Sequence, residues 1–296
     1  MDPIEGITRS AEGQFRSGDR EGGAFVSVGN DVLDLGHPRC GDRPKGDRLL
    51  RRILAPGERE WLEGGGHAEL RPVRLWTLWA AKEAAFKVLC KLGRGRRIFQ
   101  PSALPCDLLV HCGESALDIH PVTSGLDGLL RIEGSVRGER PDEQIRIEGT
   151  SDGTFVHVVG WIPEAPGLAR ARLEVGLERI TVEDAAPLER LRDEFTEAEW
   201  DGIRSIPSAW VRLKARARLE FQLKRSTNGP APTGPPGRVE ILTRRVGPRG
   251  SLPRVRIGGI ERPELSLSLS HHGRYVAWAI RFGAAQDGTE RTDRIA

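Results

Sequence analysis

The chain is short of several things that would decide its class at once. Its 296 residues contain one Met, one Tyr and only four Cys (Cys40, Cys90, Cys106 and Cys112). Four cysteines cannot staple a chain of this length, so the sequence reads as a protein of a reducing cytoplasm. No run of about 18 apolar residues is present, which excludes a helical membrane span. The first 22 residues are polar and lack the apolar segment of a secretory signal. An excess of charge is missing too: 45 Lys+Arg against 42 Asp+Glu leaves +3, too even to call for nucleic acid. Nucleotide-binding signatures of the P-loop and dinucleotide types are absent. Lysine is scarce, six against 39 arginines, so each lysine carries information. Three of the six, Lys82, Lys87 and Lys91, fall within ten residues.

What is present has globular proportions, with 38% hydrophobic and 29% charged residues. The length allows two domains of about 100–200 residues each. Ala24–Leu35 (AFVSVGNDVLDL) reads as a strand. Asp47 is placed to cap a helix over Arg48–Leu54, and Pro56–Leu62 reads as a second short helix. Leu75–Leu92, rich in Ala, Leu and Lys and followed by Gly93, is the strongest helix pattern and is apolar on most sides. Short strands follow, including Leu129–Gly134, Gln144–Glu148 and Phe155–Trp161. Pro163–Gly167 reads as a linker. Beyond it come strands at Leu173–Ile180, Val239–Thr243 and Val255–Ile260, and helices over Pro187–Ile203 and Ser208–Leu223. Leu265–Ser270 alternates Leu with Ser, the pattern of a strand with one face buried, and His271-His272-Gly273 marks a hairpin turn before Tyr275–Ile280.

Two stretches share this order of parts. Each runs strand, helices, lysine-bearing helix, strands and hairpin; GTSDGTFV (149–156) lies under LSHHGRYV (269–276). The resulting expectation is an α+β fold of two pseudo-symmetric halves, each a small antiparallel sheet packed with a long helix. Its bounds are a tail over 1–22, a first half over 23–165, a second over 166–286 and a tail over 287–296. Lys82 matches Lys214, but Glu83 faces Ala215 and Lys87 faces Leu219, while His271 and His272 face Ser151 and Asp152. Each half lacks what the other keeps, which suits one composite site between them.

The chemistry concentrates in two places. Asp31 interrupts an apolar strand and Glu83 an apolar helix. Carboxylates entering a buried region must be paired or bind a cation, and two oxygen ligands suit Mg²⁺ together with substrate phosphates. Lys87, four residues after Glu83, shares its helical face; the competing reading is a simple solvated ion pair. Asp34, three positions from Asp31, reads as a strand-end cap or an outer group. Ser270 with His271 and His272 could bind phosphate, or be an incidental exposed turn. Cys106, His111 and Cys112 lack the second pair a zinc site needs.

The strand GNDVLDL (Gly29–Leu35), the run DRLLRRILAPGERE (Asp47–Glu60) and the helix WAAKEAAFK (Trp79–Lys87) resemble the 4'-phosphopantetheinyl transferases, the first half being most like the holo-acyl-carrier-protein synthase type. LSLSHHGRYVAWA (Leu267–Ala279) resembles the coenzyme A-contacting segment of the surfactin-synthetase-activating type, which is a tandem of two halves. The resemblance implies transfer of phosphopantetheine from coenzyme A to a serine of an acyl or peptidyl carrier protein, releasing 3',5'-ADP. It implies Mg²⁺ on Asp31 and Glu83, with Glu83 as base or as holder of a basic water, and Lys87 neutralising a phosphate. Ser270, His271, Lys82, Lys87 and Arg212 would contact coenzyme A. The other partners implied are none: no nucleic acid, no membrane, and a monomer built as an internal pseudo-dimer. The alternative is a carrier-binding module of the same fold without catalysis. Two departures stand out: the surfactin type's second acidic position is Leu33 here, and the order of the halves is reversed.

Overall fold

The computed structural model describes residues 27–40, 46–64, 70–94, 98–112, 129–138, 140, 143–164, 171–181, 187–226, 237–246 and 250–283. The expected tails and the centre of the expected linker lie outside them. In chain order the elements are β1 (Val28–Asp34), α1 (Asp47–Ile53), α2 (Glu58–Glu63), α3 (Arg71–Lys91), β2 (Cys106–Cys112), β3 (Leu130–Arg137), β4 (Gln144–Ser151) and β5 (Phe155–Trp161). They continue with β6 (Arg172–Arg179), α4 (Glu197–Trp200), α5 (Ile206–Ser226), β7 (Val239–Val246), β8 (Gly250–Ile257), β9 (Ile260–Glu261), β10 (Leu265–His272) and β11 (Tyr275–Phe282). The strands form three antiparallel sheets, ordered β1-β5-β4-β3-β2, β10-β11-β6 and β7-β8-β9. The mixed α+β class is that expected from the sequence.

α3 is the spine of the first part. Ala80, Ala81, Ala84 and Ala85 are fully buried, and these small side chains let the helix settle onto β1 and β5. A Cβ at Gly29 would collide with the Ala84 carbonyl, so glycine there sets the close approach of strand to helix. The helix ends at Gly93 (φ 70°), where the Arg94 amide reaches back to the Leu89 carbonyl at 2.9 Å, closing a Schellman-type cap. α5, of equal length at 21 residues, packs with Ala215 and Leu219 against β7, β10 and β11.

The two parts join along β1, the edge strand of the five-stranded sheet. An edge strand carries a row of backbone groups that must find partners when buried. Here side chains supply them. The amides of Val28, Asn30 and Val32 donate to the hydroxyls of Ser266, Ser268 and Ser270 at 3.1, 2.9 and 3.2 Å. The Asp34 amide donates to His272 Nδ1 at 3.1 Å. Lys91 donates to the Val28 carbonyl and, at 2.6 Å, to the Leu267 carbonyl of β10; Lys87 donates to the Asn30 carbonyl at 2.7 Å. At the strand's end Asp34 accepts from Arg274 through its amide (3.0 Å), Nε (2.9 Å) and Nη2 (2.8 Å). Gly273, at φ 55°, makes the turn, and any Cβ there would strike the Asp34 carboxylate. At the other end Arg281 holds the carbonyls of Ser27 and Ile162 and pairs with Glu164.

Three local expectations are revised. The Leu-Ser alternation of β10 predicts one buried face, yet Ser266, Ser268 and Ser270 are buried as well, because they serve β1. Asp47 does not cap α1: Gly46 stands at the cap, and Asp47 pairs with Arg59 at 3.4 Å. The stretch 187–203 is not one helix but a 3₁₀ segment, Leu188–Glu194, then α4, started afresh by a Thr196/Glu199 capping box.

Lys82 is wholly buried. Its ammonium donates at 2.6 Å to both the Ile53 carbonyl and Glu58 Oε2, while the Glu58 carboxylate also takes the amides of Ala55 and Cys106 at 2.7 Å. One ion pair therefore ties α1, α2, α3 and β2 together. Lys82→Met should destabilise the protein by about 3–5 kcal/mol, because Glu58 is left charged and buried, and Lys82→Met/Glu58→Gln should recover part of that loss in urea unfolding. A second expectation concerns Asp34, whose hydrogen bonds from Arg274, joined by those charges and by the Gly36 amide, bring it from 3.8 to about 2 despite burial. The depressed native pKa means that the pair stabilises fully above the unfolded value and fades as pH falls toward 2. Asp34→Asn should lose roughly 1–2 kcal/mol at pH 7, discounted for the half-exposed Arg274, and the gap to wild type should narrow below about pH 4.

Candidate active site

β1 and α3 present Asp31, Glu83 and Lys87 to one another. The close approach at Gly29 brings α3 against β1, and Lys87 Nζ lies 3.1 Å from Asp31 Oδ1 and 3.4 Å from Glu83 Oε1. Glu83 Oε2 accepts from the Trp79 indole at 3.1 Å, one turn earlier on the helix. Asp31 is nearly inaccessible, while Glu83 is 30% exposed. Asp31 Oδ1 also accepts from Ser270 Oγ at 2.7 Å; Asp31 Oδ2, although buried, has no partner among the described residues.

This is a strained set of charges. Burial, and next the Glu83 carboxylate, push Asp31 from 3.8 up to about 7 against the pull of Lys87 and Ser270. Burial works against the Lys87 ammonium, but Asp31 and Glu83 more than offset it and leave its pKa above the ordinary lysine value. Lys91, further along the helix, is brought down to about 7 by burial and by Lys87. Buried like charges and an orphaned carboxylate oxygen are relieved by a cation. Among the described residues no group of three or more His, Cys, Asp or Glu side chains is placed to hold a metal. Two carboxylates are what Mg²⁺ needs when waters and substrate phosphates complete its shell, so the residues fit that ion. Leu33 is buried in the core, and Asp34 is held by Arg274, so neither supplies a third oxygen.

The hairpin of β10 and β11 brings the second cluster to the same place. Ser270 is buried against Asp31, and His271 lies exposed beside it. Desolvation first, and then the Lys87 and Arg212 charges, hold His271 below the ordinary histidine value. His272 turns the other way and meets the edge of the His37 ring at 4.6 Å. The expected residues therefore divide. Asp31, Glu83, Lys87, Ser270 and His271 come together. Lys82 is not among them: it is wholly buried and paired with Glu58. Arg212 is buried, with its terminal nitrogens bonded to Ser208, Gly202 and Thr243, and among the described residues only its Nε lacks a partner. Trp79, Lys91 and His37 were not picked out for the site. The clustering of scarce lysines pointed to Lys91; nothing in the sequence pointed to His37.

Two comparisons bear on this constellation. The family model of the 4'-phosphopantetheinyl transferase superfamily matches residues 27–111. The holo-[acyl-carrier-protein] synthase of Sodalis glossinidius (strain morsitans) is 42% identical over 67 residues, 22% of this chain and 50% of that protein. The chain thus spans half the length of this curated relative. The part of the chain that builds the acidic pair and its lysine is similar to the 4'-phosphopantetheinyl transferase superfamily, and Ser270 and His271 are added from beyond the matched residues.

Proposed function

We propose that this chain transfers 4'-phosphopantetheine from coenzyme A to a serine of an acyl or peptidyl carrier protein, at one Mg²⁺-dependent site between two halves related by duplication. The observation that carries the reading is the 2.7 Å hydrogen bond joining Asp31 to Ser270, 239 residues away, which sets the acidic pair beside the Ser-His turn. Duplication is supported by shared construction. β1 pairs with β5 and β6 with β11, the first and last strands of each half, and each half carries a 21-residue helix and a hairpin turning on glycine, Gly153 or Gly273. Ala215 and Leu219, opposite Glu83 and Lys87 in that correspondence, lie in an apolar core.

Asp31 and Glu83 would hold Mg²⁺, whose contribution when bound is to neutralise charge on the pyrophosphate oxygens. Glu83, the more open carboxylate, takes the proton of the carrier serine directly or through a water. The serine oxygen then bonds to the phosphopantetheine phosphorus as the bond to the 3',5'-ADP oxygen breaks. Trp79 keeps Glu83 turned toward that proton. Lys87 lies between the carboxylates, where a phosphate oxygen can replace part of its pairing. His271, exposed beside Ser270, meets the coenzyme A phosphates. The protein acts as a monomer in the cytoplasm; no described helix is long and apolar enough to cross a membrane.

Incubation with apo carrier proteins, coenzyme A and Mg²⁺ should add the phosphopantetheine arm to the carrier, read by mass spectrometry. No transfer to any member of a broad carrier panel would favour a carrier-binding module instead. Glu83→Gln should lower turnover by about 100-fold or more with an unchanged melting temperature. Near-normal turnover would remove Glu83 from the proposed chemistry.

A further inference from the structure

Ser270 stands where a phosphate contact is expected, yet its surroundings give it other work. It is buried, and its hydroxyl has two partners already. The Val32 amide is a donor, so the hydroxyl must accept from it at 3.2 Å. Its single proton is then left for Asp31 Oδ1, at 2.7 Å. Ser266 and Ser268 cap the amides of the same strand in the same way, but Ser270 adds a bond to a carboxylate. Lys87 cannot fix Asp31 alone, because its ammonium is shared with the Asn30 carbonyl and Glu83. Asp31 Oδ1 is thus held from both sides, and Oδ2 is the oxygen with no partner among the described residues.

We infer that Ser270 is a positioning residue for the metal ligand and not a phosphate contact: it fixes Asp31 through Oδ1 so that Oδ2 stays available to a divalent cation. This rests on the reading of Asp31 and Glu83 as the cation's ligands. It makes cation binding by residues of β1 and α3 conditional on the seating of β10, since the hydroxyl that orders Asp31 comes from the far end of the chain. Groups that orient ligands in this way govern metal affinity more than substrate affinity.

The test separates those two affinities. Wild type, Ser270→Ala, Ser270→Thr and Ser266→Ala are titrated with Mn²⁺ in the presence of coenzyme A, with free Mn²⁺ followed by electron paramagnetic resonance. Coenzyme A binding is measured separately in EDTA by calorimetry. Ser270→Ala should weaken Mn²⁺ binding by about ten-fold or more while coenzyme A binding in EDTA holds within about two-fold; Ser270→Thr, which keeps the hydroxyl, should restore most of the affinity. Ser266→Ala, which removes a rung of the same ladder away from Asp31, should bind Mn²⁺ as wild type does. Should Ser270→Ala fail to fold, Ser270→Cys keeps the volume with a weak donor and is expected to show the same split. Loss of coenzyme A binding in EDTA with Mn²⁺ affinity retained would make Ser270 a phosphate contact and overturn the inference. Equal loss of Mn²⁺ in Ser266→Ala would also overturn it, since the effect would then come from loosening the strand. Wild type that takes up no Mn²⁺ even with coenzyme A would remove the ligand reading of Asp31 and Glu83, and the inference with it.

Discussion

A buried strand edge must have its hydrogen bonds completed, and in this protein that demand organises everything around β1. Another strand would have answered it with its own backbone. Instead, three serine hydroxyls and an imidazole take the amides, and two lysines take carbonyls. The partners in the amide ladder are each 238 residues apart, so the register is common to all its rungs. A slip by one residue would turn every serine away from the edge. The seam places Asp31 beside Ser270 and locks Asp34 into the turn at Gly273. The acidic site follows from how the two parts are sewn together.

The three clustered lysines of this arginine-rich chain share one kind of surrounding, and two of them, Lys87 and Lys91, belong to the seam. Lys82, Lys87 and Lys91 all direct an ammonium into a tight, largely buried place with backbone carbonyls as acceptors. A slender stem ending in a compact charge with three donors fits there, whereas a planar guanidinium would need a wider slot. Arginine does the pairing elsewhere, half-exposed at Arg274–Asp34 and Arg256–Glu240 and buried at Arg281–Glu164 and Arg216–Glu199.

Much of this was legible from residue order, for reasons that can be named. Glu83 and Lys87 share a helical face by spacing alone, Asp31 stands out against an apolar strand, and His271-His272-Gly273 falls at the hairpin that the structure places there. What escaped depends on partners distant in sequence. Nothing near Lys82 reveals that Glu58, 24 residues earlier, will bury it. The serines of β10 look like a solvent face until β1 is laid against them. Arg212 looks like a phosphate ligand until Ser208, Gly202 and Thr243 close around it. Around Glu199 a local and a distant signal combine: with Thr196 it forms the capping box that starts α4, while its carboxylate also serves Arg216 and the Ile241 amide, which residue order does not reveal.

Sealing an edge with hydroxyls also bears on solubility. Without β10, β1 would offer a row of unfilled amides and carbonyls flanked by Val28, Val32 and Leu33, the sort of border that recruits a strand from a neighbouring molecule. Covalent attachment keeps the covering segment at high local concentration, so each chain blocks its own border before a second chain can. Joining the two parts in one chain thereby guards against runaway polymerisation as well as setting Ser270 beside Asp31.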